Sequence, residues 1–172
     1  MHLYILRHGI AADRDEWTGD DRKRPLTDAG RQEMREIAQG IRSLDLKLDT
    51  LVTSPLTRAK ETADFVRKAV HPATYDSSEL LAPGCDLPSL GKLLSEYPKA
   101  QELMIVGHEP DQSELIAELI GGEGRNARIQ MKKAACCCIK LASGAGVSAR
   151  SKLAGSGQLI WHLPPQVLAR LS

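Results

Sequence analysis

Aromatic side chains are scarce: Phe, Trp and Tyr together make up 3% of the 172 residues. A core of this size must therefore be assembled from Leu, Ile, Val, Ala and Cys. An excess of charge of one sign is also missing, since 23 Lys and Arg stand against 22 Asp and Glu, a net charge of +1. That argues against a nucleic-acid surface, which needs basic residues in excess on one face. No apolar run reaches the length of a membrane span, and no basic segment followed by an apolar stretch opens the chain. A cytoplasmic, reduced protein without a membrane partner is the expectation. The cysteines lack the spacing of a zinc site or a disulfide framework: Cys85 stands alone and Cys136-Cys137-Cys138 are contiguous. Free cysteine behaves as a small buried hydrophobe, which places the run in a core strand rather than in redox chemistry. His2, His71 and His162 have no close ligand spacing, and no glycine-rich nucleotide loop occurs, so neither a metal nor a cofactor is expected.

What the chain does contain is an alternation of short apolar runs and helical periodicities. Leu3–Leu6 reads as a buried strand, Thr50–Thr53 as a second and 102–106 as the clearest later one. A weak third strand or extended loop is expected around Ser78–Leu81. Met34, Ile37, Ala38, Ile41 and Leu44 recur at helical spacing, with Thr27 as N-cap and Asp28 in the first turn. Further helices are read from Ala59, Ala63, Val66 and Val70, from Leu87 to Tyr97, and from Asp111 to Ile120 with Gly121-Gly122 as the stop. Ala134–Leu141 and Gln158–Leu163 read as two antiparallel strands joined by a glycine- and serine-rich loop with a disordered tip. Pro164-Pro165 opens a short tail or helix. The polar stretch Ile10–Leu26 is too charged to be core, and its Asp20–Arg24 run reads as a solvated loop that could also touch a partner. With no repeat or linker, a single domain over 1–172 is expected, an α/β fold built as a three-layer α/β/α sandwich around a mostly parallel sheet.

Three strands end in polar, reactive punctuation: Arg7-His8-Gly9, Ser54-Pro55 and Gly107-His108-Glu109. In a parallel sheet the carboxyl ends gather at one edge, where ligands bind. Arg58, four residues past Ser54, falls on the first turn of the following helix and can face the same crevice as Arg7. Two guanidiniums there suit a phosphate, although a surface ion pair of Arg58 with Glu61 or Asp64 is the plain alternative. His8 and His108 each supply a group that can act as base, nucleophile or hydrogen-bond donor.

The motifs Leu-Arg-His-Gly at 6–9, Thr-Ser-Pro-Leu-Thr-Arg-Ala-Lys-Glu-Thr-Ala at 53–63 and Gly-His-Glu-Pro at 107–110 resemble the histidine phosphatase superfamily, which has the phosphoglycerate mutase-like fold. Arg-Pro-Leu-Thr-Asp-Ala-Gly at 24–30 and the short length are most similar to SixA-type phosphohistidine phosphatases. The resemblance implies a metal-independent phosphatase with His8 as nucleophile and Arg7, Arg58 and His108 around the phosphate. Ser54 then adds a hydroxyl or shapes its turn. Glu109 either orients His108 or starts a helix, and Thr27 and Gly30 are architectural. Glu79 occupies roughly the region where relatives carry a general acid. An imidazole, which takes up a proton near pH ~6.5, leaves more readily than an alkoxide of parent pKa ~16. The implied substrate is accordingly a phosphohistidine-bearing protein such as a histidine phosphotransfer domain. A small phosphorylated metabolite is the alternative, and a non-catalytic phosphate-binding adaptor a more distant one.

Overall fold

The computed structural model describes residues 1–122, 127–142 and 153–172. Among them are the strands β1 (His2–Arg7), β2 (Thr50–Thr53), β3 (Thr74–Ser77), β4 (Glu102–Gly107), β5 (Cys136–Leu141) and β6 (Gly157–Leu163). The helices are α1 (Asp28–Ser43), α2 (Thr57–Val70), α3 (Leu87–Glu96), α4 (Asp111–Gly121) and the short α5 (Pro165–Leu168). The strands form one sheet in the order β3-β2-β4-β1-β5-β6. β1 to β4 run parallel, while β5 is antiparallel to β1 and β6 to β5.

Side-chain alternation along the strands divides the core into two layers. Leu3, Ile5, Cys137 and Ile139 pack with Leu87, Leu90 and Leu93 of α3 and with Leu115, Ile116 and Leu119 of α4. Tyr4, Leu6, Cys136 and Cys138 point to the other face, against Met34, Ile37 and Ile41 of α1 and Ala59, Ala63 and Val66 of α2. The contiguous cysteines are thus ordinary strand residues shared between the layers. Each buried Leu, Ile or Val contributes about 1.5–3 kcal/mol of transfer free energy.

Thr27 caps α1 by accepting a hydrogen bond from the Gly30 amide at 2.9 Å. Gly30 is required by a close approach, since a Cβ there would lie 2.1 Å from the Ile10 carbonyl oxygen. The Thr27 amide donates to that same oxygen, so the start of α1 is clamped to the segment leaving β1. The stretch from Ile10 to Leu26 is less uniformly solvated than its charge suggests: Ala11 and Leu26 are buried and face each other in a β-bridge.

One expectation about the strands needs correction. The strand expected at Ser78–Leu81 lies earlier, at Thr74–Ser77, and Glu79–Leu81 is a 3-10 turn capped by the Ser78 side chain. β3 is an edge strand with every side chain exposed, so no apolar pattern marks it. The tip of the glycine- and serine-rich loop between β5 and β6 lies outside the described residues. No helix among the described residues is long and apolar enough to cross a membrane.

Candidate active site

β2, β4 and β1 are adjacent and parallel, with Thr53 opposite Val106 and Gly107 opposite Arg7. This register brings Arg7-His8, Ser54 and His108 to one edge of the sheet, as their strand-end positions require. The main chain continues the pairing one step further, with the His8 amide donating to Gly107 O at 3.1 Å and the Ser54 amide to Val106 O at 2.9 Å. The rings of His8 and His108 lie 5.3 Å apart between centroids, inclined at 53°. Both are buried, as are Ser54 and Arg58.

His8 Nδ1 lies 2.7 Å from the Gly9 carbonyl oxygen. A carbonyl can only accept, so Nδ1 carries the proton and Nε2 keeps the lone pair. The Gly9 amide donates to Thr62 Oγ1 at 3.0 Å, and that hydroxyl donates to the Arg58 carbonyl at 2.7 Å. The turn after β1 is thereby tied to the helix that bears Arg58. His108 Nε2 lies 2.7 Å from Ser54 Oγ, which gives Ser54 a positioning contact rather than a place apart.

The two arginines are held from outside the site. Arg7 Nη1 donates to Met131 O at 2.7 Å. Arg58 Nη1 donates to Asp21 O at 2.9 Å and Nη2 lies 3.1 Å from Asp21 Oδ2. Asp21 also receives Arg24 Nε at 2.8 Å. The alternative partners of Arg58 are engaged elsewhere, Glu61 with Arg31 and Asp64 with Arg67. Three nitrogens, Arg7 Nε, Arg58 Nε and His108 Nδ1, are buried without a hydrogen-bond partner inside the protein. Their side chains line one cavity of about 700 Å³ together with His8.

Burial dominates the electrostatics. It pushes the His8 imidazole down to about 3, with His108, Arg58 and Arg7 acting in the same direction and the Gly9 carbonyl against it. His108 is lowered to about 4 by burial and then by Arg58. Burial also lowers Arg7 and Arg58 from their ordinary value, but guanidiniums start so high that they remain cationic. Two neutral imidazoles therefore share a cavity with two cations, an arrangement suited to a tetrahedral oxyanion and to nucleophilic attack upon it.

The structure does not bring Glu79 to this cavity. The 3-10 turn after Ser78 directs its carboxylate outward to Arg22 Nη2, at 2.5 Å, with the side chain 69% exposed. Sequence reasoning missed Asp21, hidden in a run of mixed charge, and Thr62, which reads as one more position on a helix. Neither carries a local signal, because their partners lie 37 and 53 residues away.

Residues 3–82 match the family model of the histidine phosphatase superfamily, branch 1. A protein of Picosynechococcus is 37% identical over 150 residues, covering 84% of this chain and 87% of its own. The phosphohistidine phosphatase SixA of Escherichia coli is 30% identical over 130 residues, covering 72% of this chain and 76% of its own. A solved structure of the protein histidine phosphatase SixA complexed with tungstate shares the fold, with a TM-score of 0.79 and 24% identity over 96% of this chain and 98% of that one. The motifs, the sheet that gathers them and these relatives agree: the chain belongs to the histidine phosphatase superfamily, is of the SixA type, and is a phosphatase acting on phosphorylated substrates.

Proposed function

We propose that this protein is a metal-independent protein-phosphohistidine phosphatase, a single catalytic domain over 1–172 working in the cytoplasm through a phosphorylated His8. The observation that carries the reading is the state of His8: Nδ1 is fixed on the Gly9 carbonyl, and Nε2 retains its lone pair beside a cavity lined by Arg7, Arg58 and His108. An incoming phosphoryl group is bound by the two guanidiniums, which supply the positive charge that a metal provides in other phosphatases, and by a hydrogen bond from His108. His8 Nε2 attacks phosphorus as the bond to the leaving group breaks. Water then attacks the phosphohistidine, and the P–N electron pair returns to Nε2. Ser54 positions His108 in this scheme.

Support for a protein substrate comes from the similarity to SixA of Escherichia coli, a phosphohistidine phosphatase. Two measurements test the reading. Rapid mixing with a labelled substrate should trap an acid-labile, base-stable phosphoenzyme that His8→Ala abolishes; phosphate binding without turnover would overturn the enzyme mechanism. A phosphorylated histidine phosphotransfer domain should be turned over with higher kcat/KM than sugar phosphates. A preference for a sugar ester by orders of magnitude would instead identify a small-metabolite phosphatase.

A further inference from the structure

With Glu79 turned to Arg22, four carboxyl groups remain on the cavity wall: Asp13, Glu16, Asp21 and Glu109. Asp21 is committed to Arg24 and Arg58. Asp13 accepts from the Asp15 amide, and it and Glu16 are exposed. Glu109 differs from all three. It is partly buried, follows His108 directly and lines both the phosphate cavity and an adjoining one of about 440 Å³. The two cavities share Arg7, Ile10 and Lys133 as well, so Glu109 lies on the wall common to the cavity that holds His8 and the one beside it.

Its carboxyl is held in place. Oε1 accepts from the Ser113 amide at 3.1 Å and Oε2 from the Ser113 hydroxyl at 2.6 Å. Ser113 Oγ accepts in turn from the Met131 amide at 3.4 Å, and Met131 is the residue whose carbonyl holds Arg7. One segment thus aligns the carboxyl with a guanidinium proposed to bind the phosphoryl group. Burial raises the proton affinity of Glu109, partly offset by Ser113 and Arg7, the direction in which a general acid is tuned. The ordinary role of such a residue is to cap the start of α4, and the test must separate the two.

We propose that Glu109 is the proton donor to the leaving group. This rests on the reading of His8 as nucleophile. As His8 Nε2 forms its bond to phosphorus, the bond to the leaving atom breaks and its electron pair stays on the leaving group. Glu109 supplies the proton, to the bridging oxygen of an ester or to the distal ring nitrogen of a phosphohistidine, so that a neutral alcohol or imidazole departs. The resulting carboxylate takes a proton from the water that hydrolyses phospho-His8, which restores the acid and releases hydrogen phosphate.

The experiment is kcat/KM, which reports the step that phosphorylates His8, for p-nitrophenyl phosphate, phenyl phosphate and phosphoserine. p-Nitrophenolate leaves as a stable anion and gains little from a proton, whereas an alkoxide cannot leave without one. In Glu109→Gln the ratio of phosphoserine to p-nitrophenyl phosphate activity should fall by about 100-fold, the usual size of a general-acid contribution. Equal losses on all three substrates would show a structural cap and overturn the proposal, as would no loss on any. Should the variant fail to fold, the wild-type enzyme decides across a series of substituted phenyl phosphates: a shallow dependence on leaving-group pKa is expected, and a steep one refutes the donor. His8→Ala run alongside keeps the two readings apart. Activity surviving that substitution refutes the nucleophile, whereas its loss together with an unchanged Glu109→Gln ratio refutes only the donor.

Discussion

Acidification from about pH 7.5 to about pH 5 should cost the folded protein about 4 kcal/mol through His8 and His108 alone. In the unfolded chain both imidazoles titrate at the ordinary 6.5, whereas in the fold they sit at about 3 and about 4. A depressed histidine makes the unfolded state the better proton binder throughout the window between those values. Its contribution to stability is therefore fully present above 6.5 and is lost as pH falls. At pH 5 the unfolded imidazole is about 1.5 pH units below its midpoint while the buried one is still neutral, and at ~1.4 kcal/mol per unit each residue contributes about 2 kcal/mol. That figure depends little on how deep the folded values lie, because both are at or below about 4. Against a typical total of about 5–15 kcal/mol the loss is large. Urea titrations at the two pH values, analysed with a common m-value, measure it. His8→Gln/His108→Gln is the reference, since Asp21, Glu33 and Glu109 are common to both proteins and cancel in the difference. If the double variant loses as much stability on acidification as the wild type, the argument that burial holds these histidines neutral is wrong.

If Arg58 binds the phosphoryl group as proposed, Arg58→Lys should lower kcat/KM by about 100-fold, because a point charge replaces the planar fork that also holds Asp21; a loss under fivefold would refute that role. Gly40→Ala should destabilise the fold by about 2 kcal/mol, measured as a shift in the urea midpoint, since its Cβ would lie 1.9 Å from the Leu168 carbonyl oxygen and push α5 off α1. An unchanged midpoint would show that α5 is not docked there. Cys136, Cys137 and Cys138 are buried, with the thiols of Cys137 and Cys138 pushed up to about 12 and about 11 and that of Cys136 well above its ordinary value, mainly by burial. A thiol-reactive chromophore at pH 8 should label none of them in the native protein and all three in denaturant; rapid native labelling would contradict their place in the core.

Arg7, His8 and His108, which line the cavity, were readable because polar punctuation at strand ends is local information. An apolar run followed at once by Arg-His-Gly or Gly-His announces both a strand and what stands at its tip. Thr27 was equally legible, since an N-cap depends on residues within one turn. β3 was not, because an edge strand with both faces solvated carries no hydrophobic alternation, and its placement comes from main-chain bonding to β2. Glu79 shows the same limit from the other side. Its position in the chain suggested an acid, but a serine-capped turn and an arginine 57 residues away decide where the carboxylate points.

Periodicity and motifs of a few residues made legible the secondary-structure alternation, the composition of the core and the residues Arg7, His8, Arg58 and His108 at or soon after strand ends, which the fold then gathers on one cavity. Tertiary structure alone decided that Ser54 holds His108, that Asp21 and Thr62 fix Arg58 and the turn after β1, and that Glu109 rather than Glu79 lies on the wall of the cavity that holds His8. The physical reason is range. Helix caps and strand alternation are set by neighbours in the chain, whereas hydrogen bonds, burial and the proton affinities that follow from them depend on which distant segments the sheet order makes adjacent.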